Sequence, residues 1–129
     1  MHPNEQMLRN AVDCFVRGDL DELSQYLEED IVVHVPGNHS LAGDYKGRDS
    51  FYADFIGRMM EITGGTFQLQ PHDILASDDH AVGIYMMRAQ RDGKSYEWRH
   101  VNVYHVRDGK IFETFVNPFD REIIENLLT

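Results

Sequence analysis

Basic residues are scarce in this chain. Twelve Lys and Arg stand against 22 Asp and Glu in 129 residues, a formal net charge of −10. Binding to a phosphate backbone needs a positive surface, so nucleic acid is excluded as a partner. Cysteine is nearly absent. The single copy, Cys14, excludes an intramolecular disulfide and fits a reducing compartment. It sits among Val12, Phe15 and Val16 with no base beside it, so it reads as a small buried side chain rather than a nucleophile. No apolar run approaches the ~20 residues that a membrane span needs, and no signal-peptide pattern opens the chain. No membrane partner is expected, and the expected location is cytoplasmic. The seven histidines show no His-x-His or Cys-x-x-Cys type of spacing, so no metal site is predicted. The Gly-rich stretch 37–47 lacks the Walker spacing and its Gly-Lys-Ser/Thr ending. No phosphate cradle, nucleophilic triad or cofactor is implied.

What is present is enough for one domain over residues 1–129, with 42% hydrophobic residues to build a core. Met7, Leu8, Ala11, Val12, Phe15 and Val16 recur at helical spacing. Asn4 is the expected cap and Gly18 the stop. Asp19 opens a second short helix with Leu20, Leu23, Tyr26 and Leu27 turned inward. A first strand is expected over 31–35. A loop over 37–47, long enough to cover something, carries His39 and Tyr45. A third helix is expected over 48–63, with Phe51, Tyr52, Phe55, Ile56, Met59 and Met60 on its apolar stripe.

After Thr66 the hydrophobic period changes to two. Strands are expected over 66–75, with Pro71 marking an edge or bulge, and over 80–90. Asp92-Gly93 and Asp108-Gly109 are strong hairpin signals that set off two further strands. Asp120 either caps a last short helix or supplies an acid near the end of the final strand. This order predicts an α+β domain, a curved and mainly antiparallel sheet wrapped around three or four helices. A hollow is left inside the cone.

Along Lys94–Arg107 the even positions share one face: Tyr96, Trp98, His100, Asn102 and Tyr104. Aromatic bulk mixed with His and Asn suits a ligand wall better than a plain core. The opposite face carries Val101 and Val103, joined by Ile111 and Phe115 from the next strand. An apolar outer face of that extent predicts a homodimer.

The segments Val35-Pro36-Gly37, Leu41-Ala42-Gly43-Asp44-Tyr45-Lys46-Gly47-Arg48-Asp49 and Val106-Arg107-Asp108-Gly109-Lys110-Ile111-Phe112-Glu113 resemble the SnoaL-like (polyketide-cyclase-like) branch of the nuclear transport factor 2-like superfamily. The resemblance spans essentially the whole chain. It implies a cone fold and a dimer formed through the outer sheet face. By the strand phase of the superfamily's isomerases, the pocket face holds Tyr85 and Met87, then Trp98, His100, Asn102 and Tyr104, then Phe112, Thr114 and Val116. The isomerases' acidic base and acidic donor have no counterpart here. His34 lies near the first position and Asn102 at the second.

These residues suggest acid–base chemistry on a small apolar or carbonyl-containing molecule. His34 is expected as the general base, because an imidazole titrates near neutral pH and this one stands alone in a strand of Ile and Val. His100 is a second acid or orienter. Asn102 with Tyr85 would stabilise an oxyanion. Tyr45 would reach the ligand from the covering loop. The plainer alternatives make His34 a buried histidine bonded to a backbone carbonyl and His100 part of a polar core network. The expected activity is a cofactor-independent isomerase, cyclase or dehydratase. A non-catalytic binding module of the same fold is the alternative, with epoxide hydrolysis behind both.

Overall fold

The computed structural model describes all of residues 1–129. Helix α1, Pro3–Arg17, leads to the short α2, Leu20–Leu23. Strands β1, Leu27–Val35, and β2, Gly43–Lys46, follow. A helical stretch then runs through α3, Arg48–Ser50, a π-helical segment, Phe51–Ile56, and α4, Gly57–Ile62. The rest of the sheet is β3, Gln68–Ala76, β4, His80–Arg91, β5, Lys94–Arg107, and β6, Lys110–Pro118. Helix α5, Arg121–Leu127, comes last. The six strands form one curved sheet in the order β2-β1-β6-β5-β4-β3. Only the β1–β6 pair is parallel; the others are antiparallel. No helix is long and apolar enough to cross a membrane.

Both hairpins carry positive φ at two successive residues, Asp92-Gly93 and Asp108-Gly109. That is the backbone of the twisted two-residue turn. Pro71 marks a register shift on β3, which is an edge strand, so edge and bulge coincide. Gly18 ends α1 in the left-handed conformation.

Several expectations are corrected. Asn4 does not cap α1; the His2 ring accepts the Asn4 backbone N–H instead. Buried Asn4 donates to the carbonyls of Ser77 and Asp78, both at 2.9 Å, and so ties α1 to the β3–β4 turn. Residues 43–46 are not loop. They pair with the outer edge of β1, from Val32↔Lys46 to Val35↔Gly43, which satisfies backbone groups that β1 would otherwise leave open. Four residues are too few to show a period of two. The third helix is not uniform, because the Gly57 N–H reaches back five residues to the Tyr52 carbonyl. Asp120 begins α5, but its side chain caps nothing there.

The helices lie on the concave side. From α1 they contribute Leu8, Ala11 and Val12 to the buried core, and from the sheet Ile31, Val33, Met87, Trp98 and Ile111 meet them. One glycine shapes this wall. A Cβ on Gly83 would lie 1.9 Å from the Tyr85 hydroxyl oxygen and 2.2 Å from its Cζ. The Tyr85 ring therefore leans along β4 and covers a strand position that only glycine leaves open. Gly83→Ala must evict that ring. We expect a loss of about 1–3 kcal/mol in stability, read as a lower urea midpoint. In Tyr85→Ala the same glycine change should cost much less. Equal costs in both backgrounds would contradict the packing account.

Candidate functional site

Concave-face residues enclose a cavity of about 120 Å³. Of its 29 lining residues 23 are hydrophobic, and none is Asp or Glu. Helix α1 supplies Leu8, Ala11, Val12 and Phe15; the helical stretch 48–62 supplies Phe51, Phe55, Ile56 and Met59. Strand β1 supplies Ile31, Val33 and Val35.

The polar groups gather on β4 and β5. Register sets Tyr85 beside His100 and Gly83 beside Asn102. His100 Nε2 donates to Asn102 Oδ1 at 2.8 Å, and Asn102 Nδ2 donates to the Tyr104 hydroxyl at 3.1 Å. The Tyr104 and Tyr85 hydroxyls are 2.8 Å apart. The two hydroxyls hold two protons and share one bond, so one proton of the pair is left over for a ligand. Three same-face residues two apart on one strand can join in this way because they lie roughly 7 Å apart at successive steps.

Burial pushes His100 down to about 4, so its ring is neutral at pH 7. The bond to Asn102 opposes that shift only in part. Burial also raises Tyr85 and Tyr104, which stay protonated and act as donors. Two polar atoms of this wall have no partner, His100 Nδ1 and Trp98 Nε1. His39, on the loop after β1, lines the cavity, and burial lowers its basicity too. Its Nδ1 accepts the Leu41 backbone N–H at 3.1 Å.

The expected site residues divide cleanly. Tyr85, Met87, Trp98, His100, Asn102, Tyr104, Thr114 and Val116 all line the cavity. His34, Tyr45 and Phe112 do not. His34 alternates with inward Val33 and Val35 and so faces the outer side of the sheet. There it lies between Glu113 and Asp44, each 2.7 Å away, and stacks on Phe115 at 4.7 Å. Bonds to Glu113 and then Asp44 raise its basicity, the opposite of His100. It cannot reach a ligand in the cone from that side. Tyr45 packs on Phe55 at 5.2 Å and donates to the Leu41 carbonyl at 2.6 Å, so it closes the wall from behind.

Phe112 fails for a different reason. His105 pairs with Glu113 but Val106 pairs with Ile111, so Phe112 is an extra residue in a bulge. The bulge turns Ile111 inward, 2% exposed, and leaves Phe112 outside beneath the Arg107 guanidinium at 4.1 Å. Ile111 was expected on the outer face. Asn102 is in place: its oxygen accepts from His100 and one N–H donates to Tyr104, which leaves its second N–H. Asp120 is held by Arg99 at 2.7 and 3.1 Å and accepts the Arg99 backbone N–H at 2.8 Å. Those bonds hold its carboxyl at about 2, and it does not line the cavity. No cluster of three or more His, Cys, Asp or Glu side chains is arranged to hold a metal ion. The residue missed by sequence reasoning is Gly83. Its signal was a glycine in the middle of an apolar strand.

The same fold recurs in other proteins. Residues 8–114 match the model of the SnoaL-like domain. The uncharacterized protein Rv0034 of Mycobacterium tuberculosis is 34% identical over 106 residues, covering 81% of this chain and 80% of its own. Bal32a, from a soil-derived mobile gene cassette, superposes with a TM-score of 0.92 at 30% identity over 98% of this chain and 97% of its own. IdmH of Streptomyces antibioticus, a candidate polyketide cyclase, shares the fold at a TM-score of 0.76 and 19% identity, over 98% of this chain and 99% of its own. The chain is a member of the SnoaL-like family.

Proposed function

We propose that the cone binds a small, largely apolar carbonyl compound, and that His100 moves a proton on it without a cofactor. One observation carries this reading. A neutral imidazole, with one nitrogen held by Asn102 and the other unpaired, stands in a wall that is otherwise hydrocarbon. In the step we infer, a C–H bond beside the ligand carbonyl breaks and its proton passes to His100 Nδ1. The electron pair moves onto the carbonyl oxygen. That oxygen takes a hydrogen bond from the spare proton of the Tyr85–Tyr104 pair. Returning the proton to another carbon isomerises the ligand. Losing hydroxide, which leaves as water with that proton, dehydrates it. Attack of the carbanion on a second carbonyl of the same molecule closes a ring, and the alkoxide so formed takes the proton back from His100.

A base near 4 is weak, yet ketosteroid isomerase uses an aspartate base of about 4.6. That weakness favours one second reading, a non-catalytic carrier of the same ligands. Epoxide hydrolysis has no inward carboxylate to work with.

His100→Gln should lower kcat/KM at least about a hundredfold on a responsive carbonyl substrate while the melting curve stays cooperative. Undiminished turnover would remove His100 from the chemistry. If every substrate of a carbonyl panel binds and none turns over, the carrier reading holds.

The depressed His100 also predicts a pH signature. Its folded value, about 4, lies below the ordinary 6.5, so the unfolded chain takes up the proton first as pH falls. Stability from neutral His100 is complete above 6.5 and drains away between 6.5 and about 4. The loss amounts to about 3 kcal/mol. His100→Gln should flatten that slope in urea titrations run across the same range.

We further propose that the outer sheet face joins two copies of the chain. It presents Val101, Val103 and Phe115, only part-buried in the monomer, with Leu75 half exposed nearby. Sedimentation should give twice 15.0 kDa, and Val103→Asp should give 15.0 kDa. A wild-type monomer would end this proposal.

A further inference from the structure

We propose that Trp98 is a specificity determinant: its indole N–H demands an acceptor oxygen on the ligand, separate from the group held at His100. This rests on the cone being the ligand site, and it narrows the ligand to molecules with two oxygen functions. Two observations on the same wall support it. Trp98 is 2% exposed and His100 is 6% exposed, and each keeps one polar atom without any partner. They occupy successive inward positions of β5, with Met87 and Tyr85 opposite them on β4.

The two orphans are complementary. The indole N–H can only donate. His100 Nε2 carries the ring proton toward Asn102 Oδ1, so Nδ1 can only accept. Neither atom is reached by solvent. A buried polar group left unpaired costs about 1–3 kcal/mol, and native proteins rarely keep two side by side. A ligand relieves both costs if it carries a carbonyl-type oxygen for Trp98 and a hydroxyl or enol for His100. Their Cα atoms lie roughly 7 Å apart on one face of the strand, close enough for one small molecule to meet both side chains.

The position of Trp98 also suits a reader of incoming ligands. Phe67 stacks on its ring at 6.2 Å and meets Phe15 edge-on at 6.3 Å. Phe15 and Phe67, with Ile56 and Leu69, line both the cavity and a broader open groove outside it. Phe67 thus has the groove on one side and the indole on the other. Because solvent reaches neither orphan, a ligand that engages them must shift this wall slightly.

Three probes of similar size separate the contributions: 3-hydroxyacetophenone, with both oxygen functions; acetophenone, with only the acceptor; and 3-ethylphenol, with the hydroxyl but no carbonyl. Calorimetry on the full chain should rank the first about tenfold above each of the others. Trp98 is the sole tryptophan, so one indole N–H resonance reports on it directly. That resonance should move downfield with the two ketones and stay in place with 3-ethylphenol. Trp98→Phe should cost the ketones about tenfold and leave 3-ethylphenol unchanged. Should that variant fold poorly, the wild-type resonance decides alone. Equal affinity for 3-hydroxyacetophenone and 3-ethylphenol, or an unmoved indole signal at saturation, overturns the role of Trp98 and leaves the cone as a binding site. Failure of all three to bind overturns both.

Discussion

A hydrogen-bonded chain in a dry wall governs the site. His100, Asn102, Tyr104 and Tyr85 are linked end to end by three bonds of 2.8 to 3.1 Å. Each group would be costly to bury alone, because a polar atom moved from water into hydrocarbon loses its partners. Together they satisfy one another at every link and leave one acceptor and one donor at the two ends. The chain depends on strict alternation along β5, which brings three of its members to one face. It depends also on Gly83, whose missing side chain lets Tyr85 lie down within reach of Tyr104. Remove either condition and the polar groups scatter.

The two sheet faces treat the same residue type in opposite ways. On the inner face His100 meets an amide and hydrocarbon, so the charged form is disfavoured. On the outer face His34 has two carboxylates, Glu113 and then Asp44, so its charged form gains; His105 lies 3.0 Å from the same Glu113. Both His34 and His105 draw on Glu113, which they hold below the usual carboxylate range, with His34 the larger influence. An imidazole that must accept a proton from a buried carbon acid is best kept neutral in advance. The inner face meets that need and the outer face does not. The preference for His100 over His34 in the proposed chemistry therefore rests on environment as much as on position.

Much of this was legible in the chain. The change of period near Thr66, the Asp-Gly turns and the apolar helical stripes were enough for an α+β cone. The alternation along 94–107 was enough for Trp98, His100, Asn102 and Tyr104. What failed did so locally. His34 was matched by its place along a strand, although the alternation of Ile31, Val33 and Val35 already turned it outward. Phe112 was placed by unbroken parity, and nothing in 110–113 announces a bulge. Tyr45 was read as loop because a four-residue edge strand leaves no periodic trace. The partners of Asp120 and Asn4 lie 21 and 73 residues away respectively, beyond what local pattern can register.

The fold alone would allow a packed hydrocarbon centre. Most of the inner face is already Val, Ile, Leu, Met and Phe, and substituting leucine for His100 would erase an orphan acceptor. A core chosen only for stability fills its voids, since each unfilled volume forfeits contacts. This chain keeps a cavity, two unpaired polar atoms and a mid-strand glycine, all within a few residues of one another on β4 and β5. Three separate departures from stable packing have one feature in common: each leaves room or hydrogen-bonding capacity at the same wall. The binding function proposed above would account for all three together, whereas packing alone explains only the glycine, whose missing side chain makes room for Tyr85.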